Sequence, residues 1–277
     1  MLKIGAHMSI AEGYAKAAEN ALDIGANTFQ FFTRNPRGGA AKPLEDDDVE
    51  KLKTYLNENE FSLLLAHCPY TVNMASDKEE VRRGARELMR FDLDLLAKLP
   101  CKLYNVHPGS RKKDTPEQGV ERIVAAVNDV LREDDDIFFL FETMSGKGGE
   151  MGRRFDEIAE ITDGIKLKDK IGVCLDTCHV YCAGYDIKND LDGVLTEFDK
   201  IVGLERLKAV HMNDTVNDFA THKDHHARLG EGYLGKDIFV RMINHEALKD
   251  LPFFLETPND LAGYKEEIDF LKENYKW

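Results

Sequence analysis

A chain of 277 residues, 43% hydrophobic and 32% charged, can bury one large core and matches the ~250 residues of a (β/α)8 barrel. It has no apolar run of the ~18 residues a membrane helix needs, its opening MLKIGAHMS lacks the apolar region of a signal peptide, and its five cysteines follow no disulfide pattern; a cytoplasmic protein with no membrane partner is expected. The formal net charge of −14 argues against nucleic acid when taken alone, but that sum omits bound cations, which make a carboxylate-rich pocket locally positive.

Short apolar runs alternate with helical patterns along the whole chain. A strand is expected over 2–6 and a helix over 10–24, then a strand over 28–32, a turn-rich loop (RNPRGG) and a helix over 45–58. Strand 62–66 precedes a long helix over 78–99. Strand 102–106 precedes a helix over 115–131, where Thr115, Pro116 and Glu117 form a start signal. Strand 137–141 leads into a glycine-rich loop (SGKGGEMG) and a helix over 155–162. Strand 171–175 precedes a helix over 191–202, strand 207–210 a long polar loop and a helix over 236–245, and strand 252–255 a last helix over 261–275. Eight strand-then-helix units imply parallel pairing with right-handed crossovers. At this length they favour an α/β TIM barrel spanning residues 1–277 as a single domain. No GxGxxG follows the first strand, and no linker marks a second domain.

The first polar residue after each strand carries the functional signal. Strand one gives His7, strand three His67, strand four His107, strand five Glu142, strand six Asp176, strand seven His211 and strand eight Glu256. In a barrel these positions ring the carboxy-terminal mouth, where such enzymes place their chemistry. One histidine there is most simply a satisfied structural residue. Six successive strands ending in His, Asp or Glu are not. His179 lies just beyond strand six, and the loop THKDHH supplies Asp224 and His226, which share one side of an extended segment. His222 and His225 read as solvated loop residues.

Cys174, Cys178 and Cys182 crowd the same stretch, but their spacing lacks the C-x2-C pair of a zinc ribbon. They read, with Cys68 and Cys101, as small buried hydrophobes. The nine N/O ligands at the mouth exceed what one tetrahedral zinc takes and suit two or three ions. Imidazole mixed with carboxylate fits zinc, manganese or iron better than magnesium or calcium. Clustered ions of that kind suit phosphoryl chemistry.

Through GAHMS (5–9), FFTRNPR (31–37), HCPYTVN (67–73), NVHPGS (105–110), FETMSGKG (141–148), GVCLDTCHVYCAGYD (172–186), HMND (211–214), KDHHARLGEG (223–232) and LET (255–257), the chain resembles the endonuclease IV family, metal-dependent apurinic/apyrimidinic endonucleases of base-excision DNA repair. The resemblance runs nearly end to end. It implies three zinc ions at the mouth, with manganese or iron suiting some sites. His67, His107 and Glu142 would hold the first. Glu142 would bridge to the second, completed by Asp176, His211 and Glu256. His179, Asp224 and His226 would hold the third. The implied reaction is hydrolysis of the phosphodiester 5′ to an abasic site in double-stranded DNA, leaving a 3′-hydroxyl and a 5′-deoxyribose phosphate, with 3′-end phosphodiesterase and phosphatase activity on blocked ends. Glu142 would be the catalytic residue that orients the attacking hydroxide. Arg37 and Tyr70 match the loop side chains that family members push into DNA as the abasic nucleotide flips out; Asn35 and residues 145–149 are further DNA-contact candidates, and Lys147 and residues 111–113 would meet phosphate.

Two local departures stand out. His225 occupies the place between Asp224 and His226 where the family carries Arg, and Gly38–Gly39 follow Arg37, which would loosen the intercalating loop. A metal-dependent sugar isomerase or epimerase of the xylose-isomerase-like barrels is the alternative. It accounts for strand-end carboxylates but not for five histidines or a third site. A monomer is expected.

Overall fold

The computed structural model describes residues 1–36, 41 and 43–277, so Arg37 and Gly38–Gly39 lie outside the described residues. Its strands and helices are β1 (Ile4–Ala6), α1 (Tyr14–Asp23), β2 (Gln30–Phe32), α2 (Asp46–Glu58), β3 (Leu64–His67), α3 (Glu79–Leu96), β4 (Cys101–Val106), α4 (Pro116–Val130), β5 (Phe138–Glu142), α5 (Phe155–Gly164), β6 (Ile171–Asp176), α6 (Thr177–Ala183), α7 (Leu191–Ile201), β7 (Leu207–His211), β8 (Asp214–Thr215), β9 (His226–Ala227), α8 (Lys236–Ile243), β10 (Phe253–Leu255) and α9 (Leu261–Glu273). Eight of the strands form one parallel sheet in the order β1-β10-β7-β6-β5-β4-β3-β2. A parallel bridge from His7 to Gln30 and a 2.8 Å bond from Met8 N to Gln30 O join its two ends, closing the TIM barrel. Gly5 permits this closure, since a Cβ there would sit 2.0 Å from the Thr28 carbonyl oxygen.

The barrel has two apolar regions. A large cluster fills the space between strands and helices. A smaller one, Leu65, Leu103, Leu140, Cys174, Ala209 and Phe254, plugs the interior. Side chains alternate along a strand, so the residue two positions further on faces inward one layer higher. Those residues are His67, Asn105, Glu142, Asp176, His211 and Glu256. The plug is therefore the floor on which the polar mouth is laid. Helix α4 begins as its sequence indicates: Thr115 and Gln118 form a reciprocal capping box with Pro116 at the first helical position.

The expected alternation holds, with local differences. Helix α1 begins at Tyr14 instead of residue 10, because Gly13 at its N-cap takes φ 126°. The short helix α6 directly follows β6. Within the long polar segment after β7, β8 and β9 pair antiparallel. Among the described residues, no helix is long and apolar enough to cross a membrane.

Candidate metal centre at the barrel mouth

Each mouth residue is placed by its strand. Glu142 ends β5 and sits at the centre, fully buried. Its Oε2 lies 3.2 Å from Nε2 of both His67 and His107, and its Oε1 lies 3.2 Å from His211 Nδ1 and 3.3 Å from His179 Nδ1. Glu256, one residue beyond β10, approaches the same His211 Nδ1 at 3.2 Å. Asp176, the last residue of β6, is also the N-cap of α6: its Oδ1 accepts the His179 backbone N–H at 2.8 Å. Capping fixes that carboxylate and sets His179 three residues later on the first helical turn. His179 Nε2 then lies 3.2 Å from Asp224 Oδ1, and His226 Nε2 lies 3.4 Å from the same oxygen.

Among the described residues, five overlapping groups of ligand atoms each fall within 4.8 Å: His67, His107 and Glu142; His67, His211 and Glu256; Glu142, Asp176, His211 and Glu256; Asp176, His179 and His226; and Cys178, Asp224 and His226. All nine sequence-derived residues converge on one basin, Asp224 through its ion pairs to His179 and His226; the tight grouping, however, joins Asp176 to those two histidines where the sequence expectation had Asp224. His225 is exposed, while Asp224 and His226 on either side are part-buried and face inward. His222 is not a solvated loop residue: it is part-buried, and its ring Nδ1 bonds the Ser145 carbonyl at 3.0 Å. All five cysteines are buried and free. Cys178 borders the basin, its sulfur within 4.8 Å of ligand atoms of Asp224 and His226.

Electrostatically the basin is a set of buried charges that neutralise one another. Burial pushes Glu142 up, yet the imidazoles of His211 and His107 outweigh it and hold the carboxyl well below its usual range. Burial likewise opposes Glu256, but His211 brings it down to about 2. His226 rises to about 9 against its burial, because the Asp224 carboxylate stands 3.4 Å from its Nε2 and Asp176 faces it as well. His179 and His211 rise well above the ordinary imidazole value against burial too, under Asp176 and Asp224 for the first and Cys174 and Glu256 for the second. Asp176 goes the other way, raised by its burial.

The donor set suits divalent cations. Nε2 of His179 and of His226 are buried and make no hydrogen bond, although Asp224 Oδ1 faces both. Once those nitrogens give up their protons, each presents a lone pair to a carboxylate, an arrangement that a cation between them satisfies. Five imidazoles with four carboxylates fit a transition metal rather than an all-oxygen magnesium or calcium site.

Three amides missed in the sequence complete the mouth. Asn105 donates to Glu142 Oε2 at 2.5 Å, and Gln30 to Glu256 Oε1 at 2.5 Å. Asn213 donates to Asp176 Oδ2 at 2.6 Å and to Glu256 Oε2 at 3.2 Å, while its Oδ1 accepts the Glu256 backbone N–H at 2.9 Å. Alternation was the available signal: Asn105 lies two residues before His107, and Asn213 two after His211. His7 lies at the rim beside Gln30, its pKa lowered to about 4 by burial.

Around the rim, Tyr70 is 56% exposed and packs edge-on against Phe32 and His67. Asn35 lines an open groove of about 860 Å³ with His7, Phe32, Arg34 and Tyr264. The loops after β4 and β5 are zipped by an antiparallel bridge from Ser110 to Glu150 and a 3.1 Å bond from Arg111 N to Gly149 O. Lys112, Lys113 and Lys147 are exposed on this joined ridge, whereas the Arg111 guanidinium folds back onto the Asp114 carbonyl.

The chain matches the xylose isomerase-like TIM barrel family over residues 18–274. A relative from Alkaliphilus oremlandii (strain OhILAs) named probable endonuclease 4 is 55% identical over 276 residues, covering 100% of this chain and 98% of the relative. Another of that name, from Clostridium botulinum (strain Alaska E43 / Type E3), is 53% identical over 100% of both. Among solved structures, endonuclease IV from Thermus thermophilus aligns with a TM-score of 0.87 at 33% identity, covering 98% of each chain. A D-psicose 3-epimerase from Clostridium cellulolyticum aligns over 100% of both chains with a TM-score of 0.71 at 16% identity, a likeness of fold alone.

Proposed function

The chain belongs to the endonuclease IV family of xylose isomerase-like TIM barrels, and on that premise we propose that it is a DNA-repair endonuclease that hydrolyses the phosphodiester 5′ to abasic sites in double-stranded DNA. In this reading the whole chain, residues 1–277, works as one barrel domain. It leaves a 3′-hydroxyl and a 5′-deoxyribose phosphate and also clears blocked 3′ ends. The observation that carries the reading is the convergence of five imidazoles and four carboxylates on one buried basin at the barrel mouth.

Three zinc ions would be held, the first by His67, His107 and Glu142, the second by Glu142, Asp176, His211 and Glu256, the third by His179, Asp224 and His226. When bound, such cations supply Lewis acidity at the phosphoryl group and offset the charge on the leaving oxygen. The chain's own residues do the rest. Glu142 is the catalytic carboxylate, with imidazoles facing both of its oxygens and its rotation fixed by Asn105. Asn213 clamps Asp176 and Glu256 at a set separation. Tyr70 offers an aromatic edge at the gap left by a missing base, where flipping is least costly. Lys112, Lys113 and Lys147 meet backbone phosphates, and Asn35 and Arg37 engage the duplex from the loop after β2.

Incubation with an abasic duplex and zinc or manganese should nick it 5′ to the lesion, and Glu142→Ala should abolish the nick. A duplex left intact by the metal-replete wild type would sink this reading. The sugar-epimerase reading is disfavoured by the third site, since an aldose or ketose needs no His179–Asp224–His226 extension of the basin.

A further inference from the structure

We propose that Asp92, on the outer helix α3, is a positioning residue that holds the chain at Thr33–Arg34, and with it the adjoining DNA-contact candidate Asn35, in register with the metal basin; this rests on the functional reading above. Asp92 is completely buried, an unusual place for a carboxylate. Its two oxygens are shared out among three donors. Oδ1 takes Arg34 Nη2 at 2.5 Å, and Oδ2 takes Thr33 Oγ1 at 2.7 Å and the Tyr104 hydroxyl at 2.9 Å. Thr33 and Arg34 are the two residues that follow β2, so two successive residues at the base of the loop are tied to α3 and, through Tyr104, to β4.

Two further contacts relate that base to the site. The Thr33 backbone N–H donates to the His67 carbonyl at 3.3 Å, at the end of β3. Arg34 pairs antiparallel with Ala41, so the chain leaves and re-enters the barrel at one anchored point. Phe91, beside Asp92 on α3, lies 4.9 Å from the Arg34 guanidinium carbon and covers it. An apolar replacement could hold these elements together equally well, because a buried ion pair adds little net stability. What the pair adds is direction. A planar guanidinium on a fixed carboxylate oxygen sets the heading of the chain at Arg34, just before Asn35, as well as its attachment. Aiming matters because a small misplacement of a positioning group costs far more in function than in stability.

Asp92→Asn keeps the shape and can still accept from Thr33 and Tyr104, but it removes the charge that aims Arg34. Arg34→Gln breaks the same pair from the loop side and is read in its place if Asp92→Asn does not fold. Binding of a duplex carrying a stable abasic analogue is measured by fluorescence anisotropy, separately from kcat and KM for nicking. Both variants should bind about tenfold more weakly, with KM rising in step, kcat within about twofold and metal content unchanged. The double variant should be no worse than either single one. Equal binding by wild type and variants, or a joint fall of kcat and metal content, overturns the positioning role. A wild type that binds but does not nick strikes only the functional reading; one that neither binds nor nicks strikes both.

Discussion

Asn213→Ala should unlock the basin more than its single lost side chain suggests. Asn213 lies just beyond β7 between two carboxylates from β6 and β10, and it uses every polar atom it has. Its Nδ2 serves Asp176 Oδ2 at 2.6 Å and Glu256 Oε2 at 3.2 Å, its Oδ1 serves the Glu256 N–H at 2.9 Å, and its backbone N–H bonds Thr177 Oγ1 at 2.8 Å. Alanine keeps only the last. The short bond to buried Asp176 contributes about 2 kcal/mol and an orphaned Glu256 N–H costs about 1–2 more, a loss of about 3–4 kcal/mol. For a chain of this size that lowers the metal-free melting temperature by about 10 °C. Asp176 and Glu256 also lose the spacer that holds them at a common separation, so metal affinity should fall about 10–100-fold, the usual size of such an effect. The assay is a pair of measurements: thermal melts of the chelated protein, and metal retained after dialysis against graded chelator. The ion between Asp176, His211 and Glu256 should leave before the one between His67 and His107, which Asn213 does not touch. A variant that melts with the wild type and keeps its metals would refute the clamp.

Three other outcomes follow from the same geometry. In the metal-free protein His226 titrates near 9, so its contribution to stability is complete below the ordinary imidazole value and is lost as pH rises through about 9; the metal-free melting temperature should fall over that window, and loading zinc at neutral pH should release protons, seen as a titration heat that depends on the buffer's ionisation enthalpy. A buffer-independent heat would contradict it. Tyr70→Ala should weaken binding of an abasic duplex by about tenfold or more, the worth of one base–aromatic stack, while the melting temperature stays put; unchanged binding would remove Tyr70 from the interface. Chelation should abolish duplex binding as well as turnover, and a chelated protein that binds DNA as tightly as the loaded one would show that the metals contribute no attraction.

The mouth was legible because one rule, alternation along a strand, fixes both the apolar floor and the polar layer above it. Leu140 and Glu142, or Phe254 and Glu256, are two residues apart, so a strand whose end is known locates its ligand. Asn105, Gln30 and Asn213 obeyed the same rule and were passed over because they are amides, not ligands. Helix α6 left no amphipathic pattern, since six of its seven residues are buried and no face meets water. Strands β8 and β9, two residues each, are too short to show a period. His222 was illegible for another reason. Its place depends on a bond to Ser145, distant in sequence, and on a left-handed backbone (φ 53°) that nothing local in THKDHH demands. Asp92 did leave a trace: Ala85, Met89, Leu93 and Leu96 mark the buried stripe of α3, and Asp92 falls on it. A lone acid on an apolar stripe asks for a partner, but the sequence does not say that the partner is Arg34.

The charge of the chain resolves in the same terms. A net −14 should repel DNA, and most of the acid lies on outer helices such as α2, which opens with Asp46, Asp47 and Asp48. The mouth follows a different ledger. Its ligand set holds four carboxylates, Glu142, Asp176, Asp224 and Glu256; three divalent ions would set six positive charges against them and leave the basin at about +2 with its imidazoles neutral. The exposed lysines at 112, 113 and 147 stand on the ridge beside it. An acidic shell around a cationic mouth gives a polyanion one attractive approach and several repulsive ones. The net charge would then oppose adhesion to the helical sides of the barrel without opposing engagement at the strand ends, and the ions proposed to carry the chemistry would also create the site's attraction for phosphate. The imidazolium protons of the metal-free form only partly replace them, because those of His107, His179, His211 and His226 are shared with the carboxylates they face at 3.2–3.4 Å and project little outward. On the proposed function, loss of metal should therefore remove binding and catalysis together, an outcome that would separate this basin from a structural metal site.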